Sequence, residues 1–362
     1  MVKYYWFYRS SNGGKNLKKT WKFIMILAVI ATLASSFIHS YAQATGDKEM
    51  ILGYTTGEND SYKSLKSFNK YLNTIATDTF SFDENGNIVG EAPKTQLEYA
   101  KKKKKKTYAV ISNFGQADFD ADLAHQVMTD KTARNRFINQ LVKLTKENGY
   151  TGVNIDFEAI NPSDRSNYSN LIKEAASILH KEKMKTMVSV PAKSADDKKN
   201  DWTWPYDYKQ IGKYADYVQV MTYDEHGSWG NSGSVASMNW LQETLSYSTK
   251  NIKASKIIMG IPAYGYDWNL DDSEQNKLVH WKHIQELVNK HKVKPKYDKT
   301  TASVTFTYKD NQKQKHVVWY ENESTIEKKT ELVKKYKLGG VSIYALGHES
   351  TSFWKAIQKG IK

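Results

Sequence analysis

A row of three polar side chains interrupts an apolar segment near the middle of the chain. If Gly152–Glu158 is a β-strand, its side chains alternate, and one face carries Asn154, Asp156 and Glu158. The other face is apolar and carries Val153, Ile155 and Phe157. Burying an unpaired polar group costs roughly 2–7 kcal/mol, so a buried strand has little structural reason for such a row. The pattern therefore indicates a functional site at the carboxyl end of the strand rather than a solvated edge strand.

The two carboxylates of this row favour acid–base chemistry. Asp156 lies deeper and Glu158 reaches the end of the strand, and close like charges raise the pKa of one carboxyl group towards neutrality. Paired acids that cleave a glycosidic bond normally flank it from opposite sides, which neighbours on one strand face cannot do. A single general acid with a nucleophile supplied by the substrate is therefore the better interpretation.

The segments around this row predict an α/β fold of the (β/α)8, or TIM barrel, class. Helical patterns such as Lys131–Gly149 and Ser163–Lys183 lie between most of eight short β-like runs. The runs are Met50–Tyr54, Thr74–Phe82, Thr107–Asn113, Gly152–Glu158, Lys185–Pro191, Tyr217–Tyr223, Ile257–Ala263 and Gly340–Leu346. Alternating strands and helices imply parallel strands. A doubly wound sheet is the rival, but Gly53–Gly57 lacks the spacing of a phosphate-binding loop.

One interval between these runs is too long for a single helix. Between Ala263 and Gly340, a helix-like stretch at His280–His291 precedes a hairpin-like pattern at Thr301–Tyr308 and Lys315–Tyr320. We expect a small α+β insertion over residues 269–325, between strands 7 and 8. It would lie on the carboxyl-end rim, where the loops of a barrel build its site.

The first 44 residues have the features of a targeting segment. Four lysines precede the apolar run Phe23–Ile38, and the small-x-small pattern Ala42-Gln43-Ala44 follows it. We expect a signal peptide that is cleaved after Ala44, with an uncleaved N-terminal membrane anchor as the alternative. Either reading makes residues 45–362 an exported barrel, secreted or associated with the cell envelope.

Composition limits the function further. The absence of cysteine excludes disulfides, thiolate metal sites and a cysteine nucleophile. The net charge of +14 suggests an anionic partner, but six of those charges belong to the targeting segment. The lysine run Lys101–Lys106 is interpreted as a solvated helix end. We therefore expect no nucleic-acid partner, and only a weak electrostatic aid to residence at an anionic cell wall.

The polar row and three later segments resemble the family 18 glycoside hydrolases, the chitinase-like barrels. Gly152–Glu158 is similar to the catalytic strand of that family, Asp-Gly-x-Asp-x-Asp-x-Glu. Val220–Asp224 matches its Met-Thr-Tyr-Asp strand, and Met259–Gly265 matches its Gly-Ile-Pro-x-Tyr-Gly strand. Gly339 and Gly340 open strand eight as they do in the family. The sequences of these motifs are most similar to those of bacterial cell-wall and spore-cortex members of the family. The resemblance covers nearly all of residues 50–350.

This resemblance implies roles for individual residues. Glu158 would be the acid and base, Asp156 would orient the 2-acetamido group of the substrate, and Tyr223 would hydrogen-bond the acetamido oxygen. The oxygen itself would attack the anomeric carbon, so that the configuration is retained and neither a metal nor a cofactor is needed. The expected substrate-binding residues are Asn154, Met221, Asp224, Tyr54, Tyr264 and Tyr344.

The sequence departs from the family pattern at three positions. Thr151 and Asn154 replace two motif aspartates, and an Asn cannot share a proton with Asp156. Tyr344 stands where the family usually has a Trp beneath the sugar. These departures bear on rate and substrate geometry more than on the reaction.

Residues outside the motifs support weaker predictions. Aromatic residues near predicted strand ends or rim loops are candidates for stacking on sugars: Tyr54, Trp204, Trp229, Tyr264, Tyr266 and Trp268. His226 is interpreted as a hydrogen-bonding rim residue, because no second metal ligand lies at a suitable spacing.

The sequence therefore predicts an exported, monomeric, retaining glycosidase that acts on β-1,4-linked N-acetylglucosamine polymers. Peptidoglycan fragments are the first expected substrate and chitin the second, and the choice between endo and exo cleavage is open. The alternative is a carbohydrate-binding, lectin-like family 18 barrel without turnover. Glu158 argues against that alternative, because such barrels usually lose the acid.

Overall fold

The computed structural model of the protein describes residues 49–362, so the predicted targeting segment lies outside the described residues. Residues 49–362 form one compact unit. It contains a closed sheet and its own core, as an independently folding domain requires. Within this part of the chain, no helix is long and apolar enough to cross a membrane.

The strands of this unit form two sheets. In chain order they are β1 (Met50–Thr55), β2 (Thr74–Phe82), β3 (Ile88–Gly90), β4 (Lys106–Ser112), β5 (Gly152–Asp156), β6 (Lys185–Pro191), β7 (Tyr217–Met221), β8 (Ile257–Pro262), β9 (Tyr264–Asn269), β10 (Lys277–His280), β11 (Lys296–Asp298), β12 (Ser303–Lys309), β13 (Lys315–Tyr320) and β14 (Gly340–Tyr344). The first sheet is the barrel, and the second belongs to the insertion.

The helices lie between most of the barrel strands. They are α1 (Asn59–Phe68), α2 (Lys94–Lys102), α3 (Ala121–Thr129), α4 (Lys131–Asn148), α5 (Arg165–Lys181), α6 (Tyr208–Tyr214), α7 (Met238–Asn251), α8 (Trp281–His291), α9 (Glu323–Thr330), α10 (Leu332–Tyr336) and α11 (Thr351–Ile361). Helix α4 shows how the sequence sets their ends. The Asp130 side chain accepts from the Ala133 N–H at its start, and Gly149 ends it in the left-handed conformation at φ 60°.

Eight parallel strands close the barrel, as predicted. The strand order is β1-β14-β8-β7-β6-β5-β4-β2, and β1 pairs with β2 to complete the circle. Apolar side chains fill the interior near the strand starts: Met50, Leu52, Ala76, Tyr108, Val110, Met187 and Ile258. Polar residues replace them towards the carboxyl ends, where Asn154, Ser189 and Gln219 are buried. The barrel interior is therefore a packed apolar core near the strand starts and is polar near the carboxyl ends of the strands.

The insertion between the seventh and eighth barrel strands is present. Its sheet has the order β10-β9-β13-β12-β11 with antiparallel pairing, and helix α8 packs beside it. Its first strand begins at Tyr264, two residues after β8 ends at Pro262. Tyr264, Tyr266 and Trp268 thus lie in a strand of the second sheet rather than in a rim loop.

Three of the barrel strands, β5, β7 and β14, end two residues earlier than the pattern predicts. β5 ends at Asp156 and β7 at Met221, so Glu158 and Tyr223 lie just beyond their strands. The chain leaves the strand ladder because the backbone N–H of Glu158 donates to the side-chain oxygen of Asn113 at 2.8 Å. The alternation of polar and apolar side chains continues beyond the last residues that pair in the sheet. The sequence pattern is therefore longer than the strand.

Candidate active site

A cavity of about 1160 Å³ opens at the carboxyl ends of the barrel strands. Most of the predicted site residues line it together: Tyr54, Asp156, Glu158, Met221, Tyr223, Asp224, Tyr264 and Tyr344. Asn154 does not line the cavity and is fully buried beneath it. The cavity is therefore where the chemistry of the polar row can reach a ligand.

The backbone of Glu158 is held by one side chain. Asn113, which follows β4, accepts from the Glu158 N–H at 2.8 Å and donates to the Glu158 carbonyl at 2.8 Å. Asn113 also donates to the carbonyl of Asp120 at 2.9 Å, so its amide is fully used. This positioning residue was not predicted, because its role depends on the parallel pairing of β4 with β5.

Asp156 is an acid with an unsatisfied oxygen. Its Oδ1 atom is buried and has no hydrogen-bond partner among residues 49–362. Burial, and then the charge of Asp78, raise the pKa of Asp156 to about 7, against a hydrogen bond from Ser189 that lowers it. An unpaired buried acceptor of this kind is available to an N–H donor from a ligand.

Asp78, on β2, is a site residue that the sequence analysis missed. It lines the cavity, and burial raises the pKa of Asp78 to about 6 despite a hydrogen bond from Tyr344. In register, Asp78 is level with Val110 on β4, which is level with Asn154 on β5. The alternation rule that identified the β5 row also applies to β2, where an acid on the same strand face as Ala76 was the available signal.

Glu158 is the carboxyl group most strongly biased towards its protonated form. Burial raises the pKa of Glu158 well above its ordinary value, and the charges of Asp156, Asp224 and Asp78 raise it further. The cause is the one expected for several carboxylates in a shared low-dielectric space. Glu158 therefore favours its protonated form more than an exposed glutamate does, which suits a proton donor.

Asp224 is held by two tyrosines of the insertion. Its Oδ1 accepts from the Tyr264 hydroxyl at 2.8 Å and from the Tyr266 hydroxyl at 2.9 Å. Asp224 has a positive φ of 61°, which turns the chain sharply after β7. Burial raises the pKa of Asp224, and the two hydroxyls oppose that shift. The second sheet thus supplies one wall of the site.

Tyr223 packs against the eighth and seventh barrel strands. Its ring lies 6.2 Å from that of Tyr344 and 6.3 Å from that of Tyr264, measured between centroids. A Cβ atom at Gly260 would lie 2.7 Å from the Tyr223 ring, so only glycine leaves room for it. The Tyr223 hydroxyl is 3.5 Å from the Gln219 amide nitrogen. Packing therefore fixes the ring and leaves the hydroxyl facing the cavity.

The aromatic residues around the mouth divide into exposed and buried sets. Trp229 is 74% exposed, Trp202 is 51% exposed and Phe114 is 45% exposed, and all three line the cavity. Trp202 and Phe114 were not predicted. Trp204 lies elsewhere and stacks with the Arg165 guanidinium at 4.1 Å, while Trp268 is buried in the insertion.

Charge at the cavity has one sign. Six carboxyl groups line it, from Asp78, Asp118, Asp156, Glu158, Asp224 and Glu225, and no lysine or arginine of the described chain does. The cavity therefore disfavours an anionic group and accepts a neutral or cationic one.

His226 lies in the loop after β7. Its Nδ1 atom is 3.0 Å from the carbonyl oxygen of Ser234, so the ring bridges two parts of that loop. Residues 49–362 contain no group of three or more His, Asp or Glu side chains arranged to hold a metal.

Comparison with known proteins agrees with this geometry. The sequence profile of the glycosyl hydrolases family 18 matches residues 4–349. The chain belongs to glycoside hydrolase family 18. It is a glycoside hydrolase with a TIM barrel, and the resemblance carried by the strand motifs is confirmed.

Three relatives illustrate its place in family 18. The chain is 56% identical to the uncharacterized glycosylase YvbX of Bacillus subtilis (strain 168), over 95% of this chain and 100% of the relative. It is 26% identical to the cortical fragment-lytic enzyme of the same organism, over 81% of this chain and 68% of the relative. A solved chitinase from Chromobacterium violaceum superposes with a TM-score of 0.83 at 35% identity, over 86% of this chain and 99% of that one.

Proposed function

We propose that this family 18 hydrolase cleaves β-1,4-linked N-acetylglucosamine polymers with retention, by substrate-assisted catalysis. The observation that carries the proposal is the position of Glu158 at the cavity wall, two residues after Asp156, where burial and neighbouring carboxylates raise the pKa of Glu158. Glu158 can act as the acid at the glycosidic bond, and Asp156 is a second carboxyl group behind it. This arrangement suits a reaction in which the substrate supplies the nucleophile.

In the first step, Glu158 donates its proton to the glycosidic oxygen as the bond to the anomeric carbon breaks. The acetamido oxygen of the same sugar attacks that carbon and forms an oxazolinium ring. The unsatisfied Oδ1 of Asp156 accepts the acetamido N–H and stabilises the positive charge. Tyr223 donates its hydroxyl to the acetamido oxygen and so orients it.

In the second step, the ionised Glu158 takes a proton from water, whose oxygen attacks the anomeric carbon and opens the ring. The two displacements at that carbon restore its configuration. Glu158 recovers its proton and the N-acetyl group is regenerated, so the chain's own carboxyl and phenol groups complete the cycle.

Asp78 supplies the second deep carboxyl group of this mechanism. Asn154 cannot exchange a proton with Asp156, whereas the charge of Asp78 acts on the pKa of both Asp156 and Glu158. We assign Asp78 the role of a positioning residue, whose charge raises the pKa of both groups.

The proposed substrates are peptidoglycan fragments first and chitin second. The cortical fragment-lytic relative supports the first, and the chitinase structure supports the second. A cavity that no lysine or arginine of the described chain lines can accept the neutral N-acetylglucosamine units that both polymers contain. We further propose that the enzyme works outside the cytoplasm, because residues 1–44 have the pattern of a signal or anchor.

The deciding experiment digests purified peptidoglycan and chitin side by side and identifies the products by mass spectrometry and by the anomer first released. We expect products ending in N-acetylglucosamine in the β configuration. Glu158→Gln lowers turnover by about 10²–10⁴-fold, the usual contribution of a general acid–base group, and keeps glycan binding. Glu98→Gln, an exposed acid on α2, is the matched control.

Two results would contradict the proposal. Wild-type turnover by Glu158→Gln would exclude this mechanism. Binding of chitooligosaccharides by the wild type with no hydrolysis of either polymer would exclude N-acetylglucosamine polymers as substrates.

A further inference from the structure

The barrel face opposite the cavity is rich in lysine. This face consists of the helix-to-strand connections, residues 69–73, 103–105, 149–151, 182–184, 215–216, 252–256 and 337–339. Their lysines are Lys70, Lys103, Lys104, Lys105, Lys183, Lys253, Lys256 and Lys337. Their only acids are Glu182 and Asp216.

The cavity face has the opposite sign. The strand-to-helix connections outside the insertion, residues 56–58, 83–93, 113–120, 157–164, 192–207, 222–237 and 345–350, contain fifteen Asp and Glu residues. Their only cationic residues apart from His are Lys193, Lys198 and Lys199. The two ends of the barrel therefore carry opposite charge. The face opposite the cavity is strongly cationic, although the net charge of the whole domain is modest.

Both acids of the cationic face are already paired. Glu182 lies 2.7 Å from the Lys146 ammonium, and Asp216 lies 2.8 Å from that of Lys185 and 2.7 Å from His180. They therefore leave the lysines of the connections without an acidic partner.

Two lysines of this face have structural roles. Lys105 donates to the carbonyls of Asn69 and Leu72 at 2.6 Å, and Lys256 donates to the carbonyls of Gly212 and Ala215 at the end of α6. The others form no ion pair within the described chain and are exposed. We call these six the lysine face: Lys70, Lys103, Lys104, Lys183, Lys253 and Lys337.

Helix dipoles account for only part of this arrangement. The helices that lead directly into a barrel strand end at this face, and their carboxyl ends favour cations. Three members of the lysine face, however, have left-handed backbones, with φ of 55° at Lys104, 59° at Lys183 and 54° at Lys337. Glycine is the residue that this conformation favours, as at Gly149. Lysine occurs there against the backbone preference and carries its charge to the tip of the connection.

The N-terminal segment joins the barrel at the same face. The Met50 N–H donates to the carbonyl of Gly339 at 2.8 Å, beside Lys337, where β1 begins. Ten residues separate Ile38, the end of the apolar run, from Glu49. A chain of ten residues spans at most about 35 Å. Any membrane that holds the apolar run therefore lies within reach of the lysine face.

We propose that the lysine face docks on an anionic phospholipid bilayer and directs the cavity away from it. Exposed, unpaired lysines on one plane are what a surface of lipid phosphates attracts, and the acidic cavity face is repelled by the same surface. The attraction needs no apolar insertion, so it acts on the cleaved protein as well as on an anchored one.

The test uses the chain from Thr45 and vesicles of equal parts phosphatidylglycerol and phosphatidylcholine, with pure phosphatidylcholine vesicles for comparison. We expect binding to the anionic vesicles only, and we expect it to weaken by about tenfold or more between about 0.05 and 0.5 M salt, because salt screens surface charge over this range. Replacing the six lysines of the lysine face by Gln weakens binding by about a hundredfold or more. The hydrolysis of soluble chitooligosaccharides by the bound protein is unchanged.

The matched control replaces six exposed lysines of the insertion by Gln: Lys290, Lys294, Lys296, Lys299, Lys309 and Lys313. It removes the same charge from another surface and keeps binding within about threefold if location matters. Equal losses in the two variants, or no binding of the wild type to anionic vesicles, would overturn the proposal. Tighter binding to a soluble glycerol-phosphate polymer or to DNA than to vesicles would also overturn it.

Discussion

The Tyr54 hydroxyl donates a 2.6 Å hydrogen bond to the side-chain oxygen of Asn154. The amide nitrogen of Asn154 donates to the Ser189 hydroxyl at 2.9 Å, so both ends of the amide are used beneath the cavity floor. Asn154 therefore supports the residues that face the substrate. The neighbouring charge that acts on Asp156 comes instead from Asp78, two barrel strands away.

Asp78→Asn is expected to change the pH dependence of the enzyme. Without that charge, the pKa of Glu158 falls, so the acid loses its proton at lower pH. The alkaline limb of kcat/KM therefore moves towards lower pH. Steady-state rates between pH 4 and 9 measure the shift, with Glu84→Gln, an exposed acid after β2, as the control. A uniform loss of rate with unchanged limbs would assign Asp78 a structural role only.

Stability of the free enzyme is expected to fall as the pH rises from about 4 to about 7. Folding raises the pKa of Asp78 to about 6 and of Asp156 to about 7, from an ordinary value of 3.8. The folded state therefore binds these protons more tightly than the unfolded state, and that stabilisation is lost on titration. Asp156→Asn raises the Tm by a few degrees at pH 8 and not at pH 4. An equal rise at both values would contradict this explanation.

Gly260→Ala is expected to displace Tyr223. The new methyl group would lie 2.7 Å from the ring and 3.0 Å from the Val220 carbonyl, and overpacking of this kind costs about 1–3 kcal/mol. We expect kcat to fall by about tenfold or more, because Tyr223 is proposed to orient the acetamido oxygen. Gly230→Ala, where nothing lies within 4 Å, is the control. Unchanged kcat would show that Tyr223 does not act as proposed.

Trp229→Ala is expected to weaken the binding of long substrates and to leave the binding of short ones unchanged. Its exposed ring can stack on a sugar beyond the cleavage site, which is worth about 0.5–1.5 kcal/mol, or roughly a threefold to tenfold rise in KM for polymer. Short chitooligosaccharides that do not reach Trp229 keep their KM. Tyr297→Ala removes an aromatic residue that is 47% exposed and does not line the cavity. Equal effects on long and short substrates would argue against stacking.

Lys329→Met is expected to destabilise the join between insertion and barrel. Lys329 is buried with Glu321, and it also donates to Ser303 at 2.9 Å. Removing one partner of a buried ion pair costs about 3–5 kcal/mol. Lys359→Met, which breaks the exposed pair with Glu327, costs less than about 1 kcal/mol. Denaturant unfolding measures both, and equal losses would contradict the assignment.

The sequence alone determined the barrel and named most of the cavity residues to which the proposed mechanism assigns roles. Alternation within Gly152–Glu158 and the order of the strand motifs are local properties of the chain, and they led to Asp156, Glu158, Tyr223 and Asp224. The insertion was also predicted, since a gap in the strand spacing is visible without a structure.

Tertiary structure decided which distant residues meet. Closure of the barrel brings Asp78 on β2 to the cavity beside Asp156 on β5 and puts Asn154 below it, and pairing of β4 with β5 places Asn113 behind Glu158. The second sheet brings Tyr266 to Asp224. A side chain's direction follows from local alternation, but its partners across a barrel depend on closure and register, which no single strand encodes.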